Sequence, residues 1–400
     1  MTKPLLILLF ITISALGLLA EEDPYLSGRA AMLKGSHEAA LSAFEEALQA
    51  KPGETEVLYQ KGLCHFELKQ FPQARDAFYE VEKRRKGLGS YYLAKTEVRL
   101  NHPEMALKYL RIHLDSRYKR PEKEILLDPE LGSLDDMPGW QSLWEEESWY
   151  SQEDQDFQEA QFLMEHEQEL EAINLLNRLE KKGYQKSKVL TLKAEIYASL
   201  DNPKAARSAL KAAVRSDVRN LDALESLAGY QLEEGENEEA LSSLNRVIRQ
   251  EPDRFEAYLQ RAEARSRTDN LQGALKDVDL YLSYFPSAHR AYYIRGSIQH
   301  RHGKYLDAIQ SYNKALAMDQ GEASYYFARG LTYGATGTTR YAEKDMSMAL
   351  DLDPYNGEIW FEKGKLSQQL GKMQDACDCF EKAAQYGIFE AGEFLEKHCR

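Results

Sequence analysis

Several residue types that mark common protein classes are scarce in this sequence of 400 residues. Lys and Arg number 51 against 65 Asp and Glu, and the net charge of −14 excludes a general nucleic-acid binder, because such a protein neutralises phosphates with basic side chains. Four cysteines are too few for a disulfide framework. No Asn-x-Ser/Thr sequon occurs, which fits an exported bacterial protein.

Motifs for enzymatic chemistry are also absent. The sequences HEAA at His37 and HEQEL at His166 lack the second histidine of a helical zinc site. Gly296 and Gly303 are separated by six residues instead of the four of a phosphate-binding loop, and no G-x-S-x-G occurs. We therefore predict a protein that is not an enzyme, with no catalytic residue, no metal site and no cofactor.

A long apolar run lies at the N-terminus. Lys3 is followed by the uncharged stretch Leu5–Ala20 and then by Glu21. A short positive end, an apolar core and a small final residue are the layout of a secretory signal peptide, which we predict over residues 1–20. An uncleaved N-terminal anchor is the alternative, and it is the only membrane attachment that we expect. Either way, we expect the remainder in the periplasm, secreted, or in the ER lumen of a eukaryote.

The cysteine positions leave one disulfide open. Cys377 and Cys379 are two residues apart, so a helix would point them to different faces. In an oxidising compartment one of them can pair with Cys399, and the spacing does not say which. The alternative is that they are buried free thiols.

A regular spacing of small residues runs through most of the chain. Ala274, Ala308 and Ala342 follow one another at intervals of 34 residues, and each has Gly or Ala twelve residues before it. The same pattern recurs at Ala40, Ala74, Ala106, Ala172, Ala206, Ala240 and Ala376. It indicates repeats of two amphipathic helices, in which the small residues let the helices approach closely.

The period and the pattern resemble the tetratricopeptide repeat (TPR) family. The last repeat carries the signature most completely, at Trp360, Gly364, Ala376, Phe380 and Ala383. The resemblance implies an all-α fold, a right-handed α-solenoid of stacked antiparallel helix pairs. Because one pair buries too little apolar surface to be stable by itself, the units must stack.

Two charged pairs recur at one spacing. Arg261 and Asp277 are 16 residues apart on the two predicted helices of one unit, and Arg329 and Asp345 are 16 apart on those of another. Opposite charges at matched helical positions commonly pair, so we predict structural ion pairs.

The repeat pattern divides the chain into predicted segments. Three repeats occupy Glu21–Arg120, and seven occupy Glu153–Glu390, followed by a capping helix over residues 391–400. Pro121–Gln152 interrupts the pattern between these two arrays.

The interruption is rich in tryptophan. Trp140 and Trp144 are four residues apart and share one face of a short predicted helix, with Leu143 beside them. We predict that this apolar face packs at the junction and seals the two arrays against each other. A tryptophan cage for a ligand is the alternative, and Trp149 has no predicted role.

The resemblance also implies a binding surface, because the first helix of each repeat lines the inner, concave side in this family. The implied inner row has one residue per repeat: Tyr25, Tyr59, Tyr91, Phe157, Thr191, Glu225, Leu259, Tyr293, Phe327 and Phe361. Aromatic and arginine side chains are typical anchors for a protein or peptide partner. The candidate partner-binding residues are Tyr25, Tyr59, Tyr91, Arg290, Tyr293, His300, Arg301, Phe327 and Phe361. The alternative is that the aromatic ones only pack on neighbouring repeats.

Together these features predict an exported, non-enzymatic scaffold that binds a protein or peptide partner in its concave groove, with a role in envelope assembly or secretion. A co-chaperone that holds unfolded clients in the periplasm or lumen is an alternative, and a glycan- or cell-wall-associated protein is another. The family's best-known chaperone-tail clamp uses Lys and Asn at inner positions. The first two repeats have Tyr25, Arg29, Tyr59 and Leu63 there, so we do not expect that ligand.

Overall fold

The structure, a computed structural model, describes residues 23–145 and 148–399. Over these residues the chain consists of 23 α-helices and one short 3₁₀ helix, without a β-strand. It divides into two compact units, the first ending at Trp149 and the second beginning at Tyr150. The predicted all-α solenoid of stacked antiparallel helix pairs is confirmed.

The first unit contains three helix pairs and then a shorter, irregular set of helices. Its α-helices are α1 (Pro24–Leu33), α2 (His37–Ala50), α3 (Thr55–Glu67), α4 (Phe71–Arg84), α5 (Ser90–Arg99), α6 (Pro103–Leu114), α7 (Glu122–Leu126) and α8 (Pro138–Glu145). The 3₁₀ helix, Gly132–Leu134, lies between α7 and α8.

The second unit contains seven helix pairs and one final helix. The helices are α9 (Gln152–Glu165), α10 (Glu169–Lys182), α11 (Lys186–Ser199), α12 (Pro203–Ser216), α13 (Leu221–Glu233), α14 (Asn237–Gln250), α15 (Phe255–Arg267), α16 (Leu271–Tyr284), α17 (His289–Arg301), α18 (Tyr305–Met318), α19 (Ala323–Ala335), α20 (Thr339–Leu352), α21 (Gly357–Gln369), α22 (Met373–Gln385) and α23 (Phe389–His398).

Short turns with local signals separate the helices. The side chains of Asn202, Asn220 and Asn270 accept hydrogen bonds from backbone N–H groups at the starts of α12, α13 and α16. Gly303 and Gly337 have φ angles of 71° and 74° in the turns after α17 and α19. Glycine adopts this left-handed backbone without a steric penalty, so each first helix ends where its partner must begin.

The helices stack in a fixed order. The two helices of each pair pack together, and the first helices of successive pairs also contact one another, as α15 contacts α17 and α17 contacts α19. The first helices therefore share one surface of the stack. We call this the inner surface of each unit.

The repeating small residues lie where the helices touch most closely. A β-carbon on Gly296 would lie 2.6 Å from the ring of Tyr312, and one on Gly62 would lie 2.7 Å from the ring of Phe78. Ala308 is fully buried in its helix pair. These contacts confirm that the small residues permit the close approach of the two helices.

Both predicted ion pairs are confirmed. Arg261 donates two hydrogen bonds to Asp277, at 2.9 and 2.7 Å, and Arg329 donates two to Asp345, at 2.7 and 2.8 Å. Arg261 also donates to Asn245 on the preceding helix pair, and Arg329 makes the equivalent bond. Each arginine therefore ties three helices together with charge-assisted hydrogen bonds.

The tryptophans of the interruption pack within the first unit. Trp140 and Leu143 are buried on α8, which packs against α6. The ring of Trp144 is half-buried and meets that of Trp140 edge to face, with centroids 5.7 Å apart. The indole N–H of Trp149 donates to the backbone oxygen of Leu143 at 2.7 Å. The role of this cluster in sealing one array against the other stays a prediction.

The C-terminal helix is joined to the last pair by a disulfide. Cys377 pairs with Cys399 across a Cα–Cα distance of 5.7 Å, whereas Cys379 is a buried free thiol. The ring of Phe394 on α23 also lies 4.1 Å from that of Phe380. The helix is thus fixed by one covalent bond and by apolar packing.

The remaining predictions are the signal peptide and the possibility of a membrane-spanning helix. The predicted signal peptide, residues 1–20, lies outside the described residues. None of the described helices combines the length and the apolar character needed to cross a bilayer.

Candidate protein-binding surface

Four predicted binding residues meet at one cavity on the inner surface of the second unit. The cavity has a volume of about 570 Å³ and lies among α15, α17, α18 and α19. Its lining includes Tyr293, His300, Arg301 and Phe327. The volume falls within the usual range of ligand pockets, about 300–1,000 Å³.

The rings of Tyr293, Tyr312 and Phe327 line the cavity. Tyr293 stacks on Tyr325 with ring centroids 4.9 Å apart, and it lies 5.9 Å from Tyr312. Burial raises the pKa of Tyr293, so its hydroxyl stays protonated at neutral pH. Tyr293 and Phe327 are only half-buried, which leaves part of each ring available to another molecule.

His300 is held in one tautomer by its neighbour. The hydroxyl of Thr332 donates to the backbone oxygen of Ala328 at 2.7 Å, so the Thr332 oxygen accepts from Nδ1–H of His300 at 2.8 Å. Burial and the charge of Arg301 lower the pKa of His300. The imidazole is therefore neutral at pH 7, with Nε2 as a hydrogen-bond acceptor.

The charges at the cavity do not cancel. Glu263 also lines the cavity, but it is paired with Arg267 one helical turn away on α15. Arg301 is exposed and forms no ion pair or hydrogen bond with any other residue that the structure describes. One unpaired positive charge therefore lies at the edge of an aromatic cavity.

Several lining residues were not predicted from the sequence. Ile294 and Leu331 contribute aliphatic walls, and the ring of Tyr312 reaches the cavity from α18. Leu331 follows Phe327 by four residues, so it lies on the same helical face. Extending the inner row by one helical turn would have found Leu331, whereas Tyr312 belongs to a second helix and carries no such signal.

Two candidates near the C-terminal cluster lie apart from the cavity lining. Arg290 is exposed and pairs with Glu256 at 3.3 Å. Phe361 is half-buried, and its ring meets that of Phe380 at 5.5 Å. The described residues also contain no group of three or more His, Cys, Asp or Glu side chains placed to hold a metal ion.

In the first unit, the two leading aromatic candidates pack against their own repeats. The ring of Tyr25 lies 6.2 Å from that of Phe44, and the ring of Tyr59 meets Phe78 and Tyr92 edge to face at 5.7 and 6.0 Å. Burial raises the pKa of Tyr59 to about 12. Both tyrosines are half-buried, so each retains some accessible surface.

Tyr91 differs from the other candidates because it is only 4% exposed. Its hydroxyl donates to the carboxylate of Asp128, and Lys95 pairs with the same carboxylate at 2.9 Å. Arg99 binds Glu130, with one hydrogen bond of 3.0 Å. The segment between α7 and the 3₁₀ helix thus occupies the place that the sequence assigned to a partner.

That segment is firmly packed. Ile125, Leu131 and Leu134 are fully buried within the first unit. Burial of each such side chain contributes about 1.5–3 kcal/mol. This apolar burial anchors the segment whose Asp128 and Glu130 bind Tyr91, Lys95 and Arg99.

Comparison with known proteins identifies the repeats. Two family models described as tetratricopeptide repeat match the chain, one at residues 25–87, 191–254, 226–282 and 259–323 and the other at residues 357–386. Together the matches include more than half of the chain. Among solved structures, a tetratricopeptide repeat protein from Parabacteroides merdae has a TM-score of 0.55 at 19% identity, covering 62% of this chain and 99% of that chain.

Two human relatives are much longer proteins. Human tetratricopeptide repeat protein 7A is 27% identical over 165 residues, which is 40% of this chain and 19% of the relative. Human tetratricopeptide repeat protein 13 is 32% identical over 111 residues, which is 28% of this chain and 13% of the relative. The matched regions therefore span a fifth or less of these relatives.

Proposed function

The chain belongs to the tetratricopeptide repeat family, and we propose that it is an exported, non-enzymatic scaffold that captures a partner polypeptide on the inner surface of its second unit. The fold is that of a protein–protein interaction scaffold, whose stacked helix pairs present one long surface. The observation that carries the proposal is the open cavity among α15, α17, α18 and α19, with its aromatic residues.

The composition of the cavity supports a protein partner. Protein interfaces concentrate their binding energy in aromatic and arginine side chains that sit in well-packed pockets. Tyr293, Phe327 and Arg301 supply these side chain types within one cavity. An apolar side chain of the partner would enter against the two rings and contribute about 1.5–3 kcal/mol by its burial.

Two features support an oxidising compartment outside the cytoplasm. One is the N-terminal layout, with Lys3 before the apolar run Leu5–Ala20. The other is the disulfide between Cys377 and Cys399, because disulfides persist chiefly in exported proteins. We propose the periplasm of a bacterium as the setting, and envelope assembly or secretion as the process.

Mutation of the cavity rings tests the proposal. The double variant Tyr293→Ala with Phe327→Ala should lose the partners that the wild-type chain crosslinks in native envelopes, as read by mass spectrometry. The matched control is Leu306→Ala with Tyr341→Ala, which removes two exposed side chains from the second helices α18 and α20. Circular dichroism should show unchanged helicity in both double variants.

Each result has a distinct meaning. If the cavity variant captures the same partners as the control, the cavity is not the docking site. If the pure protein instead suppresses aggregation of an unfolded client, and the cavity variant does not, then the surface belongs to a co-chaperone. If crosslinking finds only cytoplasmic proteins, the proposed compartment is wrong.

A further inference from the structure

Two helices, α5 and α17, are each the first helix of a repeat, and they carry the same pair of residues at the same repeat positions. On α5, Tyr91 is followed eight residues later by Arg99, and on α17, Tyr293 is followed eight residues later by Arg301. Residues four and eight apart share one face of a helix. Both pairs therefore belong to the inner surface of their unit.

The pair on α5 has a bound occupant. Tyr91 and Lys95 hold the carboxylate of Asp128, and Arg99 holds that of Glu130. The carboxylate of Asp128 also accepts the backbone N–H of Glu130 at 2.9 Å, which fixes the two acidic residues relative to each other. The inner surface of the first unit thus binds an Asp-x-Glu sequence through a tyrosine and two basic residues.

Apolar residues flank the two carboxylates. The occupant reads ILLDPEL from Ile125 to Leu131, and both of these end residues are fully buried. Pro129 stands between the acidic residues and restricts the backbone there. The occupant therefore combines apolar anchors with paired carboxylates in one short segment.

The pair on α17 has the complementary features without an occupant. Arg301 has no ion-pair partner among the described residues, and the cavity walls of Ile294, Phe327 and Leu331 can receive an apolar side chain. Ser297 takes the position that Lys95 has on α5, so this surface offers one cation fewer.

From this equivalence we propose that the inner surface of the second unit recognises an internal segment of a partner protein in which closely spaced acidic residues are flanked by Leu or Ile. Arg301 binds a side-chain carboxylate, and the aromatic cavity receives the neighbouring apolar side chain. The proposal rests on the proposed function and adds the chemistry of the partner.

The net charge of −14 opposes an acidic ligand only at long range. At physiological ionic strength the Debye length is about 8 Å, so distant carboxylates are largely screened. Glu263, the acidic residue of the cavity lining, is already neutralised by Arg267. Arg301 is therefore the charged residue of the cavity lining that has no ion-pair partner among the described residues.

A peptide from the chain itself is the appropriate probe. A fluorescent peptide of residues 121–134, acetylated and amidated, is titrated with the full-length protein in 0.15 M salt, a concentration chosen for the Debye length of about 8 Å. A second peptide has the same sequence except that Asn replaces Asp128 and Gln replaces Glu130. Both are measured against wild type, Arg301→Gln, Phe327→Ala and the control Arg249→Gln, which changes an exposed arginine on the second helix α14.

We expect the acidic peptide to bind wild type at least about fivefold more tightly than the amide peptide, the equivalent of about 1 kcal/mol for one ion pair. Arg301→Gln should remove that preference, and Phe327→Ala should weaken both peptides, while Arg249→Gln should match wild type. The Arg301 and Phe327 effects assign the binding to the second unit.

Other outcomes overturn the inference. Equal binding of the two peptides, no binding to wild type, or an Arg301→Gln variant that behaves like Arg249→Gln would each exclude carboxylate recognition at this site. If partner capture in envelopes still depends on Tyr293 and Phe327 in that case, the proposed function survives and only the chemistry of the partner is wrong.

Discussion

The same aromatic pattern occurs in both units, but it is covered in the first unit and open in the second. In the first, Tyr91 is buried beneath a segment of the chain itself and donates to Asp128. In the second, Tyr293 at the same repeat position lines a cavity of about 570 Å³. The same residue at the same position of a repeat is therefore part of the core in one unit and part of an open surface in the other.

The difference shows what makes an inner surface available. A repeat signature specifies how helices pair, because its small and large residues determine close packing. It does not specify what lies on the surface that the first helices share. In the first unit Asp128 and Glu130, from the irregular segment after α6, bind Tyr91, Lys95 and Arg99 on that surface.

The largest expected effect is a difference in stability between the Tyr91→Ala and Tyr293→Ala variants. Tyr91→Ala should lower the free energy of unfolding of the first unit by about 3–5 kcal/mol, since it leaves a cavity and removes a hydrogen bond to a charged group. Tyr293→Ala should cost the second unit only about 1–2 kcal/mol, because its ring is half-buried.

Urea unfolding followed by tryptophan fluorescence can make this measurement. Three of the four tryptophans, Trp140, Trp144 and Trp149, lie in the first unit, so the emission reports mainly on that unit. Circular dichroism reports on both units. Equal losses for the two variants would mean that Tyr293 is as much a core residue as Tyr91.

A smaller effect is expected from reduction of the disulfide, which lies in the second unit. Cys377 and Cys399 close a loop across 22 residues, and opening it should destabilise the C-terminal end of that unit by about 3 kcal/mol. The midpoint temperature of the thermal transition, followed by circular dichroism, should fall when a reductant is added. The fluorescence transition of the first unit serves as the internal control, and an equal shift there would contradict the assignment.

The smallest effect concerns the pH dependence of the first unit. Burial raises the pKa of Asp128, but hydrogen bonds from Tyr91 and Lys95 outweigh it and hold that pKa below its usual value. A carboxyl whose pKa is depressed by folding stabilises the fold above its unfolded pKa, about 3.9 for Asp, and loses that contribution as the pH falls further. Asp128→Asn should cost about 1–2 kcal/mol at pH 7, and this cost should decrease as the pH falls below about 3.9.

Urea midpoints of the first unit at pH 7 and pH 3 test this. The difference in urea midpoint between wild type and Asp128→Asn should be smaller at pH 3 than at pH 7. Asp279→Asn is a matched control, because Asp279 pairs with Arg295 at 3.2 Å and is exposed in the second unit. If the difference in urea midpoint is the same at both pH values, the ionised carboxylate of Asp128 does not stabilise the fold through its pair with Lys95.

Much of the fold could be predicted because it depends on local periodicity. Gly296 and Ala308 were predicted as contact points from their spacing, and the ring of Tyr312 lies directly on that glycine in the structure. Arg261 and Asp277 were predicted to pair because helical positions 16 residues apart face each other across a repeat. Each of these conclusions requires only the helix geometry of one unit.

The candidate site could be predicted only in part. The row from Tyr293 to Phe327 was found because each member has the same position in its repeat. Tyr312 was missed because it reaches the cavity from α18, the second helix of its pair. Among the cysteines, the spacing showed that Cys377 and Cys379 point apart, and only the docking of α23 brings Cys399 to the first of them.

The sequence by itself thus determined the helix pairs, their small contact residues and the row of aromatic residues along the first helices. The tertiary structure decided which part of that row is open, because burial depends on residues far away in the chain. Tyr91 is covered by Asp128, 37 residues later, whereas Tyr293 stacks on Tyr325 and keeps a cavity beside it. A repeat motif encodes contacts between neighbouring helices, and the filling of a shared surface is a long-range event that the motif does not contain.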